Sequence, residues 1–275
     1  MKKERDLTSG NITSGLWAFA VPLMLGNVIQ QFYNLADTWI VGRYIGNIGL
    51  AAVGSSYTLM TFLTYIIIGL CLGNSTFISM EYGKKNIEKI RNGICISFVM
   101  ILAVTVGIII IFYGFLDEII KMLQVPKDTV ADMKVYLAYV FIGFFATFVY
   151  NYMSNVLRAI GNSVIPLIFL GVSVVLNVFL DILFVAVLKM GIMGAAVATV
   201  ISQYISALGT FGYYFFQYPQ LKVRKSDIKW NKSNFKSILS LSGFTCIQQS
   251  VMNFGILMVQ GLVNSFGTTV MAAFA

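Results

Sequence analysis

Two carboxylates lie inside otherwise apolar stretches of the sequence, and their presence there needs an explanation. Asp37 lies in QQFYNLADTWIVG and Asp181 in LNVFLDILFV. Asn177 precedes Asp181 by four residues, and Thr199 precedes Gln203 by four in the next apolar stretch, so each pair shares one helix face. Carboxylate, amide and hydroxyl oxygens are hard ligands that suit a proton or a small cation such as Na⁺.

Sequence position places three of these residues at a similar depth. Asp37 and Asp181 each lie seven residues before the outer end of their apolar stretch, and Thr199 lies seven residues after the start of a helix that runs the other way. At 1.5 Å per residue, each is about 10 Å below the outer surface. We therefore expect them to share one pocket. The alternative is that each aspartate only forms hydrogen bonds across a helix interface.

Other polar residues of the spans are assigned on weaker grounds. Candidates for a substrate cavity are Gln30, Tyr33, Asn151, Asn155 and Gln203. Gln30 and Tyr33 share a helix stripe with Asp37. For the two asparagines, helix packing and a cytoplasmic anchor are favoured over cavity lining. Pro22 lies four turns from Asp37 on the same helix, and because proline removes a backbone hydrogen bond, we assign it as a hinge.

The composition indicates a membrane protein. The chain is 58% hydrophobic and 11% charged, against about 25% charged residues in soluble domains. It contains no histidine, and its three cysteines form no CxxC motif, so neither a zinc site nor a disulfide framework is expected. Seven apolar stretches are long enough to cross a bilayer core about 30 Å thick. They cover residues 16–44, 50–80, 94–116, 135–157, 164–188, 192–217 and 237–264.

The basic residues give the orientation. If the chain crosses the membrane at each predicted span, fourteen of the nineteen Lys and Arg side chains fall on the face that carries the N-terminus, and five on the other. This asymmetry places the N-terminus in the cytoplasm. The net charge of +8 is therefore an orientation signal, and no nucleic acid is expected as a partner.

A weak internal repeat predicts the domain organisation. Moving FGTTVMAAFA back by 221 positions superposes it on IGNIGLAAVG. The repeat indicates a second six-span unit with the same orientation in the membrane, which is one of the repeat types found in transporters. The alternative is chance similarity between apolar helices. We predict a six-helix lobe over 1–217, a basic cytoplasmic loop over 218–236, and the truncated start of a second lobe over 237–275. Residues after about 237 should then lack packing partners.

Three segments carry a resemblance to a known family. FAVPLMLGNVIQQFYNLADTWIVGRYIGNIGLAAVG, LRAIGNSVIP and LNVFLDILFV together resemble the first half of a multidrug and toxic-compound extrusion (MATE) transporter. The resemblance implies an all-α polytopic membrane protein: a six-helix N-lobe of a two-lobe fold, plus a seventh helix and a truncated eighth.

The resemblance also implies a function. It implies an antiporter of the plasma membrane that exchanges Na⁺ or H⁺ for organic, often cationic, drugs. The family's cation site matches Asp37, Asn177, Asp181 and Thr199, which would also hold Na⁺ as the one metal, and the family's bent-helix proline matches Pro22. We expect no cofactor beyond the coupling ion, and a monomer at full length in the lipid bilayer.

Two other functions share parts of this pattern. Intramembrane aspartyl proteases also pair two aspartates, but in YD and GxGD motifs, whereas Asp37 follows Ala36 and Asp181 follows Leu180. We therefore do not expect an enzyme. The alternative function is a lipid-linked oligosaccharide flippase of the same superfamily. Such a protein needs cationic residues for a pyrophosphate, and the charges well inside the spans here are negative.

Overall fold

The chain folds into membrane-length helices connected by short turns. The computed structural model describes residues 12–224 and 227–274, in which no strand occurs. The helices in this part of the chain are α1 (Ile12–Tyr44), α2 (Asn47–Gly83), α3 (Ile87–Gly114), α4 (Leu116–Met122), α5 (Lys127–Ala159), α6 (Val164–Asp181), α7 (Gly191–Gln217), α8 (Lys232–Ser265) and α9 (Thr268–Phe274). A π-helical segment, Ile182–Val187, extends α6, and a 3₁₀ turn, Pro219–Leu221, follows α7. The basic residues Lys2, Lys3, Arg5 and Lys225 lie outside the described residues.

The seven predicted spans correspond to seven helices that are long and apolar enough to cross a membrane. The predicted all-α fold is therefore confirmed. One boundary was wrong: residues 232–236 were placed in the loop but form the start of α8. The reason is an N-cap, because the Asn231 side chain accepts hydrogen bonds from the backbone N–H groups of Ser233 and Asn234. The short helix α4, between two spans, was not predicted.

The core is centred on α5, which packs against α2 on one side and α7 on the other. Its buried aromatic side chains include Phe141, Phe144, Phe148 and Tyr152. The Tyr152 hydroxyl donates to the Ile94 carbonyl oxygen of α3 at 2.7 Å, so this large side chain leaves no unpaired polar group in the core. Helix α5 thus fixes the positions of its neighbours.

Helices α6 and α7 form an antiparallel hairpin with a short connection. Leu188 N–H bonds to the Leu183 carbonyl at 2.9 Å, five residues back, which is π-helical spacing. The turn then passes through Lys189 and Gly191, whose φ angles of 54° and 61° are left-handed. Further from the turn, the Ser173 hydroxyl donates to the Ser202 carbonyl at 2.9 Å. These contacts fix the register of the two helices.

Helix α8 packs closely against α2 along one face. A Cβ at Gly69 or Gly73 would overlap the α8 backbone near Cys246 or Ser242. The Ser242 hydroxyl donates to the Leu70 carbonyl at 3.0 Å. The expectation that this segment lacks packing partners is therefore wrong for the face on α2. It holds for the outer faces, where Phe244 and other large apolar residues are exposed.

The glycine contact between α2 and α8 gives a stability prediction. Gly73→Ala should destabilise the protein, because the new methyl group meets backbone atoms of Ser242 that cannot move independently; overpacking of this kind costs about 1–3 kcal/mol. Gly107→Ala is the control, since nothing lies within 4 Å of its added Cβ. Thermal unfolding in detergent, followed by circular dichroism, should show a lower Tm for Gly73→Ala only. Equal Tm values for the two variants would contradict the close approach.

Candidate ion-binding site

The site is built around two buried carboxyl groups on different helices. Asp37 on α1 is 8% exposed and Asp181, the last residue of α6, is fully buried. Their carboxyl groups lie within hydrogen-bonding reach of each other. Oδ1 of each aspartate is buried without a hydrogen-bond partner in the described part of the chain. The two aspartates predicted to share a pocket are therefore in contact.

Two carboxylates this close repel unless something neutral or positive lies between them. At an effective dielectric constant of about 20, two unit charges about 4 Å apart repel by about 4 kcal/mol. A shared proton removes one of the charges, and a bound cation compensates both. The arrangement therefore suits proton or cation binding better than a doubly charged resting state.

Asn177 and Thr199 lie beside this pair, across the α6–α7 hairpin. We assigned the Asn177 amide from its surroundings, with its nitrogen toward Asp181. In this orientation the amide nitrogen donates to Asp181 Oδ2 at 2.9 Å, and the amide oxygen accepts from the Thr199 backbone N–H at 3.2 Å. The Thr199 hydroxyl donates to the Ala195 carbonyl at 3.0 Å. Asn177 thus holds the Asp181 carboxyl against α7.

Two tyrosines complete the surroundings of the carboxyl pair. The hydroxyl groups of Tyr33 on α1 and Tyr136 on α5 both approach the Thr199 hydroxyl and interact electrostatically with Asp37 and Asp181. Tyr33 was assigned to the substrate cavity, a role that stays a prediction, and the structure places it beside the carboxyl pair. Tyr136 was not predicted from the sequence. Its span was predicted to begin at 135, which put Tyr136 at the surface, whereas α5 begins at Lys127.

The remaining cavity candidates lie elsewhere. Asn151 and Asn155 donate to carbonyl oxygens of their own helix, those of Thr147 at 2.8 Å and Asn151 at 2.9 Å. Gln203 packs against α5, where a Cβ at Gly143 would overlap its side chain.

Gln30 is half-buried on α1, seven residues before Asp37. Helix α1 continues unbroken through Pro22. The cavity and hinge roles of these residues stay predictions, as does the cation-binding role of the four site residues.

The donor set is distinct from a transition-metal centre. The described residues contain no group of three or more His, Cys, Asp or Glu side chains that could hold a metal ion. What the site offers is two carboxyl groups, one amide and three hydroxyl groups. All are oxygen-rich groups of the kind that bind protons or hard monovalent cations.

Comparison with known proteins places these features in a family. The profile of the MatE family matches residues 22–183. The Bacillus subtilis "Probable multidrug resistance protein YpnP" is 31% identical over 99% of this chain, and the Thermotoga maritima "Probable multidrug resistance protein NorM" is 27% identical over 92%. The chain spans 61% and 55% of the lengths of these two relatives.

Solved structures show the same fold. A structure described as "Crystal structure of MATE in the bent conformation" is 25% identical and superposes with a TM-score of 0.83 over 91% of this chain and 56% of its own. A second, described as an inward-facing multidrug resistance MATE family transporter, is 24% identical with a TM-score of 0.82 over 93% of this chain and 59% of its own. A multi-pass membrane fold is thereby established.

The Asn177 bridge gives a second stability prediction. Asn177→Ala should lower the Tm, because it leaves the Asp181 carboxyl without its amide donor; an unpaired buried polar group costs about 1–3 kcal/mol. Val175→Ala is the control on the same helix, since Val175 is 72% exposed. Thermal unfolding in detergent separates the two variants. An unchanged Tm for Asn177→Ala would show that the bridge does not stabilise the hairpin.

Proposed function

Because the chain belongs to the MatE family, we propose that it forms the ion-binding lobe of a cation-coupled multidrug efflux transporter of the plasma membrane. The observation that carries the proposal is the contact between the Asp37 and Asp181 carboxyl groups inside a membrane-spanning bundle. The names of the similar proteins, multidrug resistance and multidrug export, support drug efflux as the activity. The protein is then a transporter and not an enzyme, with its basic-rich face in the cytoplasm, and a monomer at full length.

The coupling step is neutralisation of the carboxyl pair. When both carboxylates are charged, repulsion pushes α1 away from α6, and when a proton or Na⁺ binds, α1 approaches α6 and α7. A ligand shifts such an equilibrium only by its differential affinity for the two states, and the differential contact here is the one between Asp37 and Asp181. Movement of α1 narrows the cavity of the lobe and expels the cargo outward, with Pro22 as the bend.

The Asn177 amide bears on which ion is used. With its nitrogen toward Asp181, the amide donates to a carboxylate oxygen and offers no oxygen to a cation between the aspartates. Binding of Na⁺ by all four residues would require the amide to rotate, so that its oxygen joins the two carboxylates and the Thr199 hydroxyl as a ligand. The two ions therefore require opposite orientations of this amide, with its nitrogen toward Asp181 for H⁺ and its oxygen toward the carboxyl pair for Na⁺.

The negative charge of the carboxyl groups indicates the charge of the cargo. An organic cation is attracted by the buried carboxyl groups, and the bound ion competes with that attraction, which suits exchange of one cation for another. A flippase for an anionic lipid-linked oligosaccharide is not favoured, because the site presents carboxyl groups to the pyrophosphate. Organic cations are therefore the proposed cargo.

Transport assays test the role of the carboxyl pair. In protein expressed from its complete gene, Asp37→Asn and Asp181→Asn should each abolish efflux of a cationic dye driven by an ion gradient, because a permanently neutral amide cannot release an ion. Asp117→Asn is the control. This exposed carboxylate pairs with Lys134 on the outer side at 2.5 Å, and its pKa is lowered by that contact, so it is charged at neutral pH. Normal efflux by the double variant would place coupling elsewhere.

Sodium binding can be separated from proton binding without transport. If H⁺ is the coupling ion, NaCl and KCl at one pH and equal ionic strength should give the same Tm for the purified protein. If the site binds Na⁺, NaCl alone should raise the Tm, by mass action on the folded state. Asp181→Asn is the negative control, because any effect of Na⁺ binding at this site on the Tm should vanish in this variant. A Na⁺ effect that persists in Asp181→Asn would point to a different Na⁺ site.

A further inference from the structure

A second polar site lies far from the carboxyl pair, in an open groove of about 470 Å³ between the inner ends of α2 and α8. Its polar lining is Glu81 from α2, Lys84 immediately after α2, and Lys236, Ser237 and Ser240 from α8. Nothing in the proposed transport cycle uses these residues. The groove therefore needs its own explanation.

Glu81 is the unusual member of this set. The residue is 5% exposed, and its Oε1 accepts from Lys84 Nζ at 2.8 Å. Its other oxygen, Oε2, is buried without a hydrogen-bond partner among the described residues. A buried, unpaired carboxylate oxygen is costly. The oxygen would be satisfied by an ammonium or other N–H donor that enters the groove.

The α8 side of the groove suits an anion rather than a cation. Lys236, Ser237 and Ser240 are exposed and lie in the first three turns of α8. Lys236 supplies the positive charge on this side of the groove. An ammonium and two hydroxyl groups at such a position suit a phosphate. One side of the groove thus suits a cation, and the other side suits an anion.

The position of the groove matches the headgroup layer of a bilayer. Glu81 lies two residues before the end of α2, and Lys236 lies four residues after the start of α8. Both are therefore within about 6 Å of the inner ends of their helices. The rest of the groove wall is apolar, formed by Phe77, Met80 and Leu241.

We propose that this groove binds phosphatidylethanolamine, with the lipid ammonium at Glu81 Oε2, the phosphate at Lys236 and the serine hydroxyls, and the acyl chains along the apolar wall. A phosphatidylglycerol headgroup has no ammonium, so its hydroxyl groups can give Oε2 only a neutral hydrogen bond. A phosphatidylcholine headgroup is a quaternary amine without an N–H donor. The groove therefore distinguishes phosphatidylethanolamine from both, and this inference does not depend on the proposed function.

Lipid titration tests the proposal. Protein expressed from its complete gene, in a nonionic detergent, is titrated with palmitoyl-oleoyl phosphatidylethanolamine, phosphatidylglycerol or phosphatidylcholine, and bound lipid is counted by native mass spectrometry. We expect phosphatidylethanolamine to bind at least about tenfold more tightly than either of the others, as one charged hydrogen bond allows. Glu81→Gln should remove that preference, and Lys236→Gln should weaken the binding of all three lipids alike, because each carries the phosphate.

Matched controls keep the result interpretable. Glu88→Gln and Lys89→Gln remove exposed charges at the start of α3, on the same membrane face, and should leave lipid binding unchanged. Lys236 is exposed, so its variant tests the groove even if Glu81→Gln fails to fold. Equal binding of the three lipids, or a phosphatidylethanolamine preference that survives Glu81→Gln, would overturn the proposal. Equally tight binding of soluble glycerophosphoethanolamine would overturn the assignment to a membrane lipid.

Discussion

The contact between two carboxyl groups in a membrane-spanning bundle is the constraint on which the site depends. Neither Asp37 nor Asp181 has a basic partner in the contacts that the structure describes, so the pair is complete only with a proton or a cation. Repulsion of about 4 kcal/mol between two charged groups is comparable to the energies that move helices between two states. Under the proposed function, ion occupancy at this pair would therefore change the distance between α1 and α6.

The surrounding helices hold Asp181, one member of this pair, in a fixed position. Asp181 lies where α6 changes to π-helical geometry, a feature that is frequent at functional sites. Asn177 attaches its carboxyl to α7, and α7 packs along the aromatic core of α5, which brings Tyr136 to the same place. Helices α5, α6 and α7 thus determine the position of Asp181, whereas Asp37 is carried by α1, which packs mainly against α6 and α2.

The sequence predicted the parts of the site that local patterns encode. Helical spacing joined Asn177 to Asp181, and depth counted from the outer ends of the spans related them to Asp37 and Thr199. Tyr136 could not be found in this way, because aromatic residues are frequent in spans and its apparent depth depended on a helix start misplaced by eight residues. The groove at Glu81 was also missed. It exists only because two glycines let α8 approach α2, a tertiary contact that no periodicity in either helix records.

The packing of α1 is uneven, and this unevenness bears on how the site moves. The buried residues in the described part of α1 are Asp37, Ile40 and Val41, all in its outer half. Around Pro22 the helix has no buried side chain, and Trp17 and Met24 are more than half exposed. A rearrangement at Pro22 therefore breaks few contacts, whereas one near Asp37 would disrupt packed side chains. Bending of α1 is thus easiest at Pro22, whereas the contact between Asp37 and Asp181 belongs to the packed half of the helix, where repulsion between two charged carboxylates opposes that packing.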